Sequence, residues 1–390
     1  MRKDKRKRKF LSLGRREFIQ LGVFGAVATT GFILKKTILD PIPPFIVDNY
    51  MENSNIDYST VNLKGNFVWD ELYNLDFVQK YIDFAGLLKN KFSINALKYL
   101  LDHPFPIKKY QLSKDKTISD EVLVTNDFTE TFPITSEDIL LVHSKSYFLK
   151  LYLMGYSRLG LLNGDTPIMP EIPEYVKTVA GGTYTAAKIA LRKGIGMNFN
   201  GGFHHAHADH ESGFCYLNDV AITIKKLRNQ KEIKKVLVVD LDVHHGDGNA
   251  KVMGKDSSVS IFDVYQSDNS FPGIIYPVDY GFGLDSLYKK RGVTDSVYLE
   301  IIKELPKAIE QKKPDIIIYL ADADPHENHM LGSFRLSTEG LMKRDDYVIK
   351  AARDRDIPLA VVLAGGYPRD INDIIKIHSN TARVVKKYSS

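Results

Sequence analysis

The chain reads as a single α/β domain, a parallel central sheet flanked by helices. Three observations predict this class. From residue 180 onward, apolar runs of strand length alternate with stretches of helical length, which implies crossover connections between parallel strands. Four of these runs end in acids, histidines or glycines, and ligands of open α/β sheets bind outside the carboxyl ends of the strands. Finally, 390 residues that are 44% hydrophobic and 26% charged make an ordinary globular composition, long enough for a large core.

Residues 1–39 read as an export signal or an uncleaved N-terminal anchor. A basic start (Met1–Lys9) leads into Arg15-Arg16-Glu17-Phe18, and the apolar stretch Leu21–Leu34 follows. The paired arginines resemble a twin-arginine signal, a receptor-read bacterial address. Fourteen weakly apolar residues fall short of the ~20 that span a bilayer as a helix, and Ala26-Val27-Ala28 suits a signal-peptidase site. Export would put the protein in the periplasm or on the membrane, with the membrane engaged only through this segment; a cytoplasmic protein is the alternative. Residues 1–36 carry eleven Lys/Arg against two acids, so of the net +5 they hold +9 and the remainder −4. A slightly acidic body argues against a nucleic-acid partner, which needs a basic face. The one cysteine, Cys215, excludes an internal disulfide and a multi-cysteine zinc site.

Residues 40–65, with Pro41, Pro43 and Pro44, read as a linker, and 66–390 as the catalytic domain. Ser136-Glu137-Asp138 before Ile139–His143 predicts a helix start or turn before a strand, and 155–175, with its Gly and Pro, a surface loop. Helices are expected from Ala180-Gly181-Gly182-Thr183 to about Arg192, over 216–228, 295–311 and 338–353, and at the C-terminus. Strands are expected at 194–200, 236–241, 259–262, 315–321 and 358–363.

The chemistry gathers at four strand ends: Gly201–His205, Asp240–Gly248, Asp322–Pro325 and Ala364–Tyr367. Asp242 and His244 are two apart, so at a strand end they share a face. A lone Asp-x-His is commonly a loop or cap feature, but here partners lie at the other strand ends. A catalytic zinc takes three protein ligands and leaves one position open; Asp242, His244 and one acid of the 322–324 pair fill that need. The paired histidines offer a general base and a general acid, each oriented by a carboxylate. Tyr367, behind two glycines, offers a hydrogen bond to a developing oxyanion.

These segments, with His103-Pro104-Phe105, Gly181-Gly182-Thr183, Gly213-Phe214-Cys215-Tyr216 and Leu331-Gly332-Ser333, resemble the zinc-dependent histone deacetylases and their bacterial relatives, on the arginase/deacetylase fold. The match runs from about residue 100 to 385, and His-Pro-Phe with Asp263-Val264-Tyr265 is nearest in wording to class IV. The resemblance implies one zinc ion on Asp242, His244 and Asp324. It implies tandem histidines His204 and His205, paired with Asp240 and Asp247 respectively, with His205 as the base. Tyr367 would hold the substrate carbonyl, with Gly366 beside it. Gly213 and Phe214 would line the narrow tunnel for an acylated amine, although core packing is the plain alternative for Phe214. A potassium ion beneath the zinc is implied on Asp240 and Ser260. The expected activity is therefore hydrolysis of an acylated amine, an acyl-lysine or an acetylpolyamine-like substrate.

Two departures stand out. Asp322 occupies a position where the family has glycine, and Asn328-His329 replaces Gly-Asp. Asp322-Ala323-Asp324 resembles the Asp-x-Asp of the binuclear manganese arginases, so a ureohydrolase-like enzyme is a second reading; it wants a further acid at 246, which is Gly. A metal-binding module without turnover is the third. Asp322 is expected to act on the metal's surroundings without binding the ion.

Overall fold

The computed structural model describes residues 63–74, 108–157, 161–162, 166–167, 171–266, 278–283 and 292–389. Residues 1–39, read as a signal or anchor, most of 40–65, read as a linker, and His103-Pro104-Phe105 lie outside them.

The fold is one eight-stranded sheet flanked by helices. In chain order its strands are β1 (Phe67–Trp69), β2 (Phe128–Glu130), β5 (Ile195–Asn198), β6 (Val236–Asp240), β7 (Val259–Tyr265), β8 (Tyr280–Gly283), β9 (Ile316–Leu320) and β10 (Leu359–Val362); β3 (Leu161–Leu162) and β4 (Thr166–Pro167) form a separate antiparallel pair. The spatial order is β2-β1-β5-β10-β9-β6-β7-β8, and every neighbouring pair is parallel. The four polar strand ends therefore emerge along one edge. The central strands are buried along their whole length, as strands covered on both faces must be.

Ten described helices are α1 (Lys109–Ser119), α2 (Ser136–Leu140), α3 (Lys145–Ser157), α4 (Ile172–Lys193), α5 (Asp219–Asn229), α6 (Asp247–Met253), α7 (Asp295–Ile301), α8 (Leu305–Lys312), α9 (Thr338–Arg353) and α10 (Ile371–Lys387). Tyr184 and Ala187 of α4 and Val220, Ile224 and Leu227 of α5 pack with Val236, Val238, Ile316 and Ile318 into one core.

Four local expectations are corrected. Ile139–His143 is not a strand. Thr135 and Asp138 form a reciprocal cap, with Asp138 N–H donating to Thr135 Oγ1 at 3.2 Å and Thr135 N–H to Asp138 Oδ2 at 3.0 Å, and this cap starts α2 in place of extended chain. Helix α4 begins at Ile172, with Pro173 in its first turn and left-handed Gly194 at its end, so Gly181 and Gly182 lie mid-helix. They are small because other chain segments press on them: a Cβ would lie 1.8 Å from the Phe132 carbonyl oxygen or 1.9 Å from the Tyr73 hydroxyl. The stretch read as a surface loop over 155–175 instead holds the end of α3, the β3–β4 pair and the start of α4. Tyr216–Asn218 stays outside α5, whose first turn Asn218 caps by accepting the Ala221 N–H at 2.8 Å.

Candidate metal centre and active site

In the sheet register Asp240 lies beside Leu320, so the loops leaving β6 and β9 start side by side. Ligand atoms of Asp242, His244 and Asp324 come within 4.8 Å of one another, all buried. His244 Nδ1 stands 2.9 Å from Asp242 Oδ1 and 3.3 Å from Asp324 Oδ2. Its other nitrogen, Nε2, donates to the Leu331 carbonyl at 3.2 Å. That bond fixes the tautomer and turns the Nδ1 lone pair toward the two carboxylates, the orientation a metal-binding histidine requires. Neither oxygen of Asp324 accepts a well-formed hydrogen bond although both are buried. Burial alone would raise the Asp324 carboxyl, but the imidazoles of His329 and His244 hold it below the usual range. Two closely packed carboxylates, that of Asp324 short of hydrogen-bond donors, and a tautomer-fixed imidazole suit a divalent cation.

The tandem histidines follow β5. His204 Nδ1 meets Asp240 Oδ2 at 3.0 Å and His205 Nδ1 meets Asp247 Oδ1 at 2.6 Å, the pairing the sequence implied. Their rings lie 4.0 Å apart. Burial lowers both, but Asp240 and Asp242 push His204 up to about 10, whereas His205 stays lowered by burial and by the neighbouring His204. With its Nδ1–H donated to Asp247, the neutral His205 ring carries its basic lone pair on Nε2.

Tyr367 is buried, only 6% exposed, beside Phe214 and His329, with ring centroids 5.5 Å apart in each case. The loop bringing it there is strained: Ala364 has φ 52° and Gly366 φ 112°. It is braced from two sides. Lys109 Nζ donates to the carbonyls of Ala364 (3.0 Å) and Gly365, and Tyr110 Oη to Ala364 at 2.7 Å. Asp322 accepts the N–H of Gly365 on one oxygen and that of Asp324 on the other at 2.5 Å. Asp322 thus ties the β9 loop, which carries the candidate ligand Asp324, to the loop carrying Tyr367.

A pocket at this edge is lined by Gly213, Phe214, both histidines, the three candidate ligands, Gly365 and Tyr367. Phe214 therefore faces the pocket, held at φ 64°, a backbone cost of roughly 1–3 kcal/mol for a non-glycine residue. Gly365, and not Gly366, lines the pocket; Gly366 makes the turn. Ser260 is not brought to Asp240. It lies opposite Leu237, while Asp263 lies opposite Asp240, placing Ser260 three residues, roughly 10 Å, down the strand. The potassium site expected on Asp240 and Ser260 is thus not assembled. A second metal also lacks its acid: a Cβ at Gly246 would lie 2.5 Å from Asp240 Oδ2, and among the described residues the Asp242–His244–Asp324 group is the one such convergence.

Sequence reasoning missed Lys109, His207, Asp263 and, as a contact of Asp324, His329. His329 Nε2 sits 2.8 Å from Asp324 Oδ1. Asp263 accepts from His245 Nδ1 at 2.7 Å, and burial pushes its carboxyl up to about 6. His329 carried a signal, as a departure from the family pattern, and so did Asp263, as part of Asp263-Val264-Tyr265, though with no role attached; Lys109 and His207 carried none.

The histone deacetylase domain profile matches residues 103–382. An uncharacterised protein of Picosynechococcus is 31% identical over 292 residues, 73% of this chain and 93% of its own length. Histone deacetylase 2 of Arabidopsis thaliana is 30% identical over 285 residues, 70% of this chain and 72% of its length. A probable deacetylase of Methanothermobacter thermautotrophicus is 30% identical over 239 residues, 59% and 71% respectively. The crystal structure of the HDA15 HD domain shares the fold, with a TM-score of 0.66 over 83% of this chain and 88% of that one, at 18% identity. Sheet, site and sequence agree: this chain belongs to the histone deacetylase family.

Proposed function

We propose that the chain is a zinc-dependent deacylase that hydrolyses the amide of an acylated amine, an acyl-lysine or an acetylpolyamine-like substrate. Asp242, His244 and Asp324 would hold the ion. A zinc ion there supplies Lewis acidity, which polarises the amide carbonyl and acidifies a water molecule. Nε2 of His205, the basic nitrogen when Nδ1–H is donated to Asp247, takes a proton from the attacking water. The water oxygen bonds to the carbonyl carbon, and the hydroxyl of Tyr367 donates to the carbonyl oxygen as it becomes negative. The C–N bond then breaks, and the proton held by His205 passes to the departing nitrogen. The products are a carboxylate and a free amine. Phe214 and Tyr367, 5.5 Å apart, are placed to exclude water from the acyl group.

The observation that carries this reading is the 2.6 Å His205–Asp247 pair next to three converging ligands. The N-terminal twin-arginine pattern supports an exported enzyme acting on something other than histones. Fluorogenic acetyl-lysine and a panel of acyl amines test the activity on zinc-loaded protein. His205→Ala and Tyr367→Phe should each lose on the order of 10²–10⁴ in kcat with zinc still bound. Near-native turnover in either variant overturns the roles of base and oxyanion donor.

A further inference from the structure

Asp247 is held by two imidazoles. Its Oδ1 takes the Nδ1–H of His205 at 2.6 Å, and its Oδ2 lies 3.0 Å from Nε2 of His207. We infer that His207 is a positioning residue for hydrolysis: its Nε2–H fixes the Asp247 carboxylate, and through it the tautomer and aim of His205. The inference rests on the reading of His205 as the base.

A carboxylate turns easily about its terminal torsion. Held at one oxygen, Asp247 would present its second oxygen wherever solvent or a neighbour drew it. Held at both, it has one orientation, and the His205 ring inherits it. The His207 ring is itself held. It is buried, and it stacks on the exposed His210 ring with centroids 4.3 Å apart and planes 10° from parallel. The backbone beneath it is pinned as well. His207 N–H donates to the His210 carbonyl at 3.0 Å, the Ala206 carbonyl accepts from Asn218 at 3.2 Å, and that of Ala208 accepts the Ser144 N–H at 2.7 Å. The Asp247 carboxyl lies well below the usual range: burial raises it, but the His205 and His207 hydrogen bonds outweigh that, as expected when both rings donate to it.

The test compares His207→Phe with His207→Gln in the full-length, zinc-loaded protein, since the Gln amide N–H reaches the place of the imidazole Nε2–H and Phe offers no donor. We expect His207→Phe to lose about 10–100-fold in kcat, the usual cost of removing a group that orients a site residue. KM and zinc content should stay unchanged, and His207→Gln should recover most of kcat. Protons and nitrogens of histidine-labelled protein, followed by NMR, give a readout that needs no substrate. The low-field proton between His205 Nδ1 and Asp247 should persist in wild type and in His207→Gln and shift in His207→Phe. Equal losses in both variants with that proton unmoved would reduce His207 to packing and overturn the inference. So would a wild-type spectrum in which His207 Nε2 carries no proton, a result that needs no variant. If wild type turned over no amide, the proposed function would fail, yet the spectra would still decide whether His207 holds Asp247.

Discussion

Asp322 shows how one side chain can matter without touching substrate. Its two oxygens accept the N–H groups of Asp324 and Gly365, and it is wholly buried. Asp322→Gly would leave both N–H groups without that acceptor, at about 1–3 kcal/mol for each buried group, and would untie the tyrosine loop. We expect a loss of about 2 kcal/mol or more in chemical denaturation, a fall in kcat, and one zinc per chain retained. Asp322→Asn keeps an acceptor oxygen and should lose less. A neutral Asp322→Gly would make the residue a bystander. The sequence made Asp242, His244, Asp324 and the histidine pair legible because each sits in a short motif at the end of an apolar run. Lys109 and His207 were opaque for the opposite reason. Each acts on a loop far along the chain or on an acid forty residues away, and nothing in its own neighbourhood marks it.

At the scale of elements, the central strands and the long C-terminal helices were legible from periodicity, and α9 was expected at its observed bounds, Thr338–Arg353. The errors came where tertiary contact or capping decided. Two mid-helix glycines looked like a helix start, and a capped turn, α2, looked like a strand. His143, just after α2, joins two elements: its Nε2 accepts the N–H of Asn218, the cap of α5, at 3.0 Å. Burial lowers its pKa from 6.5 to about 4. Because the folded value lies below the unfolded one, the unfolded chain binds more protons between them. This contribution is therefore complete above pH 6.5 and is lost as pH falls toward 4, by about 3 kcal/mol at most. Denaturation at pH 7 and pH 4.5 should show a shallower pH dependence for His143→Gln than for wild type. Equal slopes would assign the acid sensitivity elsewhere.

At the scale of the whole molecule, the parallel order of the sheet makes the site. Residues separated by up to 163 positions, His204 to Tyr367, meet because β5, β6, β9 and β10 are neighbours pointing one way. The alternation of strands and helices forecast that convergence. The edge strands β2 and β8, and β1 next to β2, escaped notice because segments of three or four residues outside the regular alternation carry no readable period. Among the described residues no helix is long and apolar enough to cross a membrane. The proposed hydrolysis would depend on one cation held where these strand ends meet, and metal content of the purified chain by elemental mass spectrometry, read beside Asp242→Ala and Asp324→Ala, tests it most directly. One zinc per chain in wild type, lost in both variants, is the result predicted. Two ions per chain, or a zinc that survives both substitutions, would contradict it.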